Sequence, residues 1–157
     1  MAFEKIHSLL ESGGVQYTLH SHPAVCTIED AETKVPHLTR NLLKTVVFQA
    51  KGDHWILAAV KGRDRIDYRE LARAFHLNRR QIRTVSPKTV EVQLGFEVGG
   101  IGPFPVHDMV RIVVDKELAD IGTIFCGSGK NTITIEMDIV DLIRLVNPVL
   151  WKISKGQ

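Results

Sequence analysis

Leu43-Lys44-Thr45-Val46-Val47-Phe48-Gln49-Ala50, then Lys51-Gly52-Asp53, then His54-Trp55-Ile56-Leu57-Ala58-Ala59-Val60 is the stretch on which the fold turns. Both apolar runs are rich in β-branched and aromatic residues, and the segment between them has turn composition. The pattern predicts a β-hairpin over Leu43–Ala50 and His54–Val60.

Downstream, Asp67 to Phe75 carries Tyr68, Leu71 and Phe75 at helical spacing, which predicts a helix with those residues on one buried face. Gln81 to Val85 suits a short strand. Ser86-Pro87 places a capping hydroxyl before a proline at the first helical position, opening a helix to about Leu94. Gly95, Gly99, Gly100, Gly102, Pro103 and Pro105 then fall so close together that Gly95–Pro105 must be a shaped loop. Val110–Val114, Ile121–Cys126 and Thr132–Glu136 read as strands. Ile139, Leu142, Ile143 and Val146 mark a last helix ending near Asn147-Pro148.

Upstream, Phe3, Ile6, Leu9 and Leu10 predict an amphipathic helix stopped by Gly13-Gly14, and Val15–Leu19 a short strand. Thr27 is placed to cap a brief helix whose first turn holds Glu29 and Asp30, where negative charge is favourable. Hairpins mixed with helices, without strict strand and helix alternation, indicate an α+β fold. At 157 residues and 44% hydrophobic content the chain suits one domain, 1–157, with one sizeable core.

The formal net charge of +2 gives no global basic field, so any contact with nucleic acid has to be local. No apolar run approaches the roughly 20 residues that span a bilayer, and Met1–Gly14 lacks the apolar core of a secretory signal, so a cytoplasmic protein without membrane contact is expected. Cys26 and Cys126 lack CxxC spacing and are read as buried thiols.

Several segments invite chemistry. Gly127-Ser128-Gly129-Lys130 resembles part of a phosphate loop, but Ile124 stands where the first glycine of that motif belongs and Asn131 where its Ser or Thr belongs. A plain turn between strands explains the two glycines, although such turns also expose N–H groups to anions. His20 and His22 share a strand face, yet no CxxC, HExxH or paired carboxylate accompanies them, and no metal is expected. Ser128 is not in a GxSxG elbow, and neither cysteine has an obvious histidine beside it. Lys44 opens an apolar strand, where it is either an edge-strand surface lysine or a costly cation awaiting a partner. Lys61, Arg63, Arg65, Arg69, Arg73, Arg79, Arg80 and Arg83 gather positive charge mid-chain, either to grip an RNA backbone or to pair with Asp64, Asp67 and Glu70 on a solvated face.

Taken together, four segments resemble the YbaK-like aminoacyl-tRNA deacylase family, free-standing relatives of the editing domain inserted in bacterial prolyl-tRNA synthetase. His22-Pro23-Ala24-Val25-Cys26-Thr27-Ile28-Glu29-Asp30-Ala31 is similar to the family's HPxxxTxExA segment, and Leu43-Lys44-Thr45-Val46-Val47-Phe48 to its lysine-headed central strand. Gly99-Gly100-Ile101-Gly102-Pro103-Phe104 is similar to its GxxxP substrate loop. Gly127-Ser128-Gly129, Ile133-Thr134-Ile135 and Asp141-Leu142-Ile143-Arg144-Leu145 are similar to its closing turn, strand and helix.

The resemblance implies a mixed, barrel-like sheet surrounded by helices and hydrolysis of the ester between a mischarged small amino acid and the terminal adenosine of a tRNA, tRNA-Pro being one possibility. It implies Lys44 as the catalytic residue, holding the terminal phosphate or ribose. Substrate contacts would come from His22, Thr27, Glu29 and Thr45, from Gly99, Gly100, Ile101, Gly102 and Pro103, and from Gly127, Ser128 and Gly129. No cofactor or metal is implied. The partners would be aminoacyl-tRNA and a synthetase acting with it. A non-catalytic module of the same fold that binds tRNA or a synthetase is the alternative, and an esterase using Ser128 or Cys126 is a further one. Two departures from the family pattern are Pro105, which could reshape the pocket wall, and Thr45, where alanine-specific relatives carry Asn.

Overall fold

The predicted hairpin forms in full: Leu43 faces Lys61, Ala50 faces His54, and every residue between is paired antiparallel. Its turn is carried by Gly52 and Asp53, both at positive φ, a conformation in which Gly and Asp are among the most readily accommodated residues.

The computed structural model describes residues 1–157. In chain order it holds α1 (Ala2–Ser12), β1 (Tyr17–Ser21), α2 (Ile28–Lys34), β2 (Leu43–Ala50), β3 (His54–Lys61), α3 (Tyr68–Ala74), β4 (Ile82–Thr84), α4 (Pro87–Leu94), β5 (Val110–Asp115), β6 (Thr123–Gly127), β7 (Ile133–Asp138), α5 (Ile139–Val146) and β8 (Val149–Trp151). This is an α+β fold.

Strand β3 lies at the centre of a five-stranded mixed sheet ordered β4-β2-β3-β5-β8, and its unbroken apolar run follows from burial on both faces. Trp55, Leu57 and Ala59 enter one core with α1, α4, α5 and the second sheet. Ile56, Ala58 and Val60 enter a separate core beneath α3. The second sheet, β1-β7-β6, is antiparallel.

The two sheets meet at the start of β2. Leu42 bridges Phe125 in parallel, and the Phe125 N–H donates to Asn41 O at 3.2 Å. Strand β4 pairs only with the far end of β2, Phe48 to Ala50. The second sheet therefore continues off the near end of β2, which produces the barrel-like path and opens a seam there.

Local capping follows the sequence. Thr27, Asp67, Ser86 and Asp138 each accept a backbone N–H at a helix start, and Gly95 and Asn147 close α4 and α5 in the left-handed region. Differences are confined to short elements. The first strand begins at Tyr17 instead of Val15, because its pairing with β7 runs from Tyr17–Met137 to Ser21–Ile133. Tyr68 is exposed, set edge-on to Phe48 under the Arg79 guanidinium, so only Leu71 and Phe75 of the expected face are buried. Strand β8 and a 3-10 turn at Pro36–Leu38 were not expected from the sequence. No helix is long and apolar enough to cross a membrane.

Leu57 is fully buried and Val92, on α4, is 70% exposed. Leu57→Ala is expected to cost about 2–5 kcal/mol by urea denaturation and Val92→Ala less than about 0.5 kcal/mol. Equal costs would contradict the two-faced burial of β3.

Candidate functional site

The seam between the sheets is a cavity of about 440 Å³. The mouth of β2 supplies Leu43, Lys44 and Thr45; the segment before and within α2 supplies His22, Thr27 and Glu29; the glycine-rich loop supplies Gly99 and Ile101. The turn after β6 closes the far wall with Gly127, Lys130 and Asn131.

Lys44 is half-buried. Its Nζ donates to Asp64 O at 2.6 Å and makes no ion pair. Burial holds its pKa below the ordinary lysine value, an effect moderated by the charges of Asp64 and Glu29. The two readings of a strand-mouth lysine thus resolve into a partly desolvated cation held by a backbone carbonyl. An ammonium has three donors, so two remain for a ligand.

The wall before α2 is fixed by a local box. Thr27 Oγ1 accepts the Asp30 N–H, and Asp30 accepts the Cys26 N–H, both at 3.0 Å. The Cys26 N–H, with Lys34 nearby, holds the Asp30 carboxyl below its usual range. His22 Nδ1 lies 2.8 Å from Pro23 O, which can only accept, so Nδ1 carries the proton. In the neutral ring Nε2 then accepts from Thr134 Oγ1 at 2.8 Å. His20 is engaged separately with Glu136.

The glycine loop and the closing turn are pressed together backbone to backbone. A Cβ on Gly102 would stand 2.0 Å from Gly127 O, and one on Gly127 would stand 2.1 Å from Ile101 O. Gly99, at φ +85, would meet Val25 O at 2.1 Å. Gly129 N–H donates to Gly100 O at 2.7 Å. Asn131 staples three segments: its N–H donates to Glu97, its side-chain amide to Val98 O, and its own carbonyl accepts the Val25 N–H.

Of the residues expected at the site, His22, Thr27, Glu29, Lys44, Thr45, Gly99, Ile101 and Gly127 line the cavity. Gly100, Gly102, Pro103, Ser128 and Gly129 do not; all are buried behind the wall as its framework. Ser128 donates its hydroxyl to Ile133 O at 2.5 Å and has no exposed surface. Pro105 is exposed and lies by Lys5 and Leu9 of α1, away from the cavity it was expected to reshape. Cys126 is buried as expected, its thiol pushed up to about 12 by burial, whereas Cys26 is exposed on the cavity wall. Cys26 precedes a helix cap, where its backbone serves Asp30 and the side chain has no core to enter.

Sequence reasoning did not assign Arg63, Lys130 and Asn131 to this cavity. Arg63 pairs with Glu29 at 3.0 Å and with Glu32 at the rim, and Lys130 Nζ sits 4.6 Å from the Phe3 ring centroid. The signal available for Lys130 and Asn131 was their place directly after a glycine turn that another glycine loop covers. The rest of the basic set is dispersed. Arg73 pairs with Glu70, Arg83 bonds Gln49, and Asp67 caps α3 instead of meeting an arginine. The other side of the cavity is aliphatic, formed by Val25, Ala31, Val35 and Leu38 with Leu42 against them.

The aminoacyl-tRNA editing domain model matches residues 22–145, from the His22-Pro23 segment to the end of α5. The chain belongs to the aminoacyl-tRNA editing domain family.

This editing domain is 26% identical over 125 residues to the uncharacterized protein YwhH of Bacillus subtilis (strain 168), covering 80% of this chain and 78% of that protein. It is 26% identical over 129 residues to a proline–tRNA ligase of Brachyspira hyodysenteriae, covering 82% of this chain and 22% of the ligase. The editing domain thus spans about a fifth of that ligase's length. Among solved structures, a hypothetical protein superposes with a TM-score of 0.84 at 17% identity, over 96% of this chain and 99% of that one. A candidate trans-editing enzyme for prolyl-tRNA synthetase superposes with a TM-score of 0.78 at 20% identity, over 99% and 98%. At those identities the superpositions establish the fold.

Two expectations concern the editing domain's cavity itself. In a ¹³C-lysine NMR titration, Lys44 is expected to lose its proton at lower pH than the other lysines, because burial disfavours its charged form; a Lys44 midpoint at or above theirs would contradict the burial. Gly99→Ala is expected to cost at least about 1–2 kcal/mol from its left-handed backbone alone, with the Val25 clash added. Gly14→Ala, at φ +64 in open space, carries only the backbone cost, so thermal denaturation of the pair should place Gly99→Ala clearly lower.

Proposed function

We propose that this editing domain is a trans-acting hydrolase that cleaves the ester of a mischarged aminoacyl-tRNA carrying a small amino acid, with tRNA-Pro as one such RNA. The observation that carries the reading is the shared cavity: Lys44, Gly99 and Ile101 line one space.

An aminoacyl ester is already activated, so the site needs orientation, a few aimed dipoles and a placed water. In the reaction, water oxygen bonds to the ester carbonyl carbon, the bond from that carbon to the ribose oxygen breaks, and a proton passes to the ribose oxygen. Lys44 would hold the terminal phosphate or ribose as a point charge. Its tether to Asp64 O fixes where that charge sits. The Gly99–Ile101 backbone would approach the aminoacyl group, and the aliphatic side formed by Val25, Ala31, Val35 and Leu38 would receive its side chain. A pocket separates apolar side chains by only about 1–3 kcal/mol per methylene, so exclusion of larger residues is the effective filter.

The esterase alternative is disfavoured by placement. Ser128 is buried with its hydroxyl committed to Ile133 O, and Cys126 is fully buried with a thiol that resists ionisation. The non-catalytic alternative predicts tRNA binding without ester loss.

Deacylation of a panel of mischarged tRNAs separates these readings. Wild type should release small amino acids, and Lys44→Ala should lower the rate by roughly 10²–10³-fold, the scale of a lost electrostatic contact at a reacting ester. Binding without release by wild type would leave the non-catalytic module, and equal rates for the two proteins would remove Lys44 from the mechanism.

A further inference from the structure

Beside the cavity, and sharing Ile28, Leu42, Gly62 and Arg63 with it, lies a second cleft of about 270 Å³. The partition is the segment Gly62-Arg63-Asp64. Its backbone is also what Lys44 grips, through Asp64 O. The partition is closely packed: the Gly62 N–H donates to Leu42 O at 2.8 Å, and a Cβ on Gly62 would stand 3.0 Å from Leu42 O and 3.3 Å from Ile28 Cδ1.

The second cleft has a different chemistry from the first. Ile28 and Leu42 are its only hydrophobic lining residues; the remainder includes Glu32, Lys61, Arg63 and Asp64. Both signs of charge are present, and they are not equally committed. Arg63 is tied to Glu29 and Glu32. Lys61, exposed at the end of β3, takes part in no ion pair or side-chain hydrogen bond, which leaves it the uncommitted cation of the cleft.

A cleft of cations alone would suit a bare phosphate. One that sets a free ammonium beside carboxylates suits a nucleotide, whose phosphodiester is an anion and whose sugar hydroxyls and base amines are donors. Consecutive nucleotides are joined by one short ribose-phosphate step, so they require adjoining spaces separated by no more than a strand of backbone. The Gly62-Arg63-Asp64 partition provides that.

We infer that the second cleft receives the nucleotide immediately 5′ to the terminal adenosine, with Lys61 on the phosphodiester that joins the two, Lys44 left to the adenosine ribose, and the Asp64 carboxylate facing sugar or base donors while Glu32 stays paired with Arg63. The inference rests on the ester-hydrolase reading, which puts the terminal adenosine in the first cavity.

Two non-hydrolysable probes test it by calorimetry: a 3′-aminoacylamido-adenosine, and the same compound extended by a 5′-linked cytidine. The wild type is expected to bind the dinucleotide about tenfold more tightly, the scale of one charge-assisted contact. Lys61→Ala should remove that increment while leaving the affinity for the nucleoside probe unchanged. It should also reduce the salt dependence of dinucleotide binding, because the phosphodiester would no longer face a cation. Equal affinities of the wild type for the two probes, or an increment that survives Lys61→Ala, would overturn the subsite. Either result leaves the first cavity's reading standing if the nucleoside probe binds and Lys44→Ala weakens it. If neither probe binds the wild type, both readings fall.

Discussion

The site depends on direct backbone packing, where the loop at Gly99–Gly102 lies on the turn at Gly127–Gly129 with no room for a side chain at Gly102 or Gly127. Separations of about 2 Å between the positions a Cβ would take and neighbouring carbonyl oxygens mean that Gly99, Gly102 and Gly127 are obligatory there. Two irregular segments that carry their own polar groups can pack this tightly only if those groups are satisfied. Gly129 N–H to Gly100 O and Glu97 N–H to Gly129 O do so across the contact. The contact also reaches outward. Gly129 sits on the first residues of α1, and Gly99 sits on Val25, so the helix, the loop, the turn and the segment ahead of α2 are positioned as one unit.

Electrostatics then places a cation where that unit meets β2. Lys44 could not occupy a strand mouth with its charge wholly desolvated, since burying an unpaired ammonium is costly. The Asp64 carbonyl and the nearby charges of Glu29 and Asp64 reduce that cost without neutralising it by an ion pair. A carboxylate clamped directly on the ammonium would compete with any phosphate or sugar ligand. A carbonyl leaves the charge uncancelled and still fixes its position. Glu29 is drawn off to Arg63, which keeps the carboxylate nearest the cavity engaged with a different cation.

The sequence disclosed the large elements because their signals are strong and local. The two hairpin strands, the caps at Thr27, Asp67 and Ser86, and the Gly95–Pro105 loop all follow from periodicity or turn chemistry over several residues. Strand β8 was hidden because three residues after Asn147-Pro148 carry no usable period, and its existence depends on pairing with β5. Within the site, Lys44, His22, Thr27 and Gly99 were legible through family motifs. Lys130, Asn131 and Arg63 were not, because their membership of the cavity is made by contacts between segments far apart in the chain. Pro105 was misread for the converse reason: a neighbour in sequence to a wall residue need not face the same space. Cys26 was read as buried from residue type alone, whereas its place just before a helix cap leaves it on the cavity wall.

The same packing makes Ser128 and Cys126 unavailable as nucleophiles and leaves Cys26 as the exposed thiol on the cavity wall. Ser128 lies in a turn that holds Lys130, Ile133 and the glycine loop together, and its hydroxyl donates to the Ile133 carbonyl and accepts the Lys130 N–H. Turning it toward a ligand would take this partner from both groups, at about 1–3 kcal/mol for each left unsatisfied. Cys126 lines the deep wall as a small apolar side chain, and the desolvation that makes it a good packing group also keeps it a thiol. Beside the Cys26 thiol the wall offers a rigid backbone and a half-buried ammonium. Under the proposed reading these act by orientation and electrostatics, which is the help an already activated ester requires.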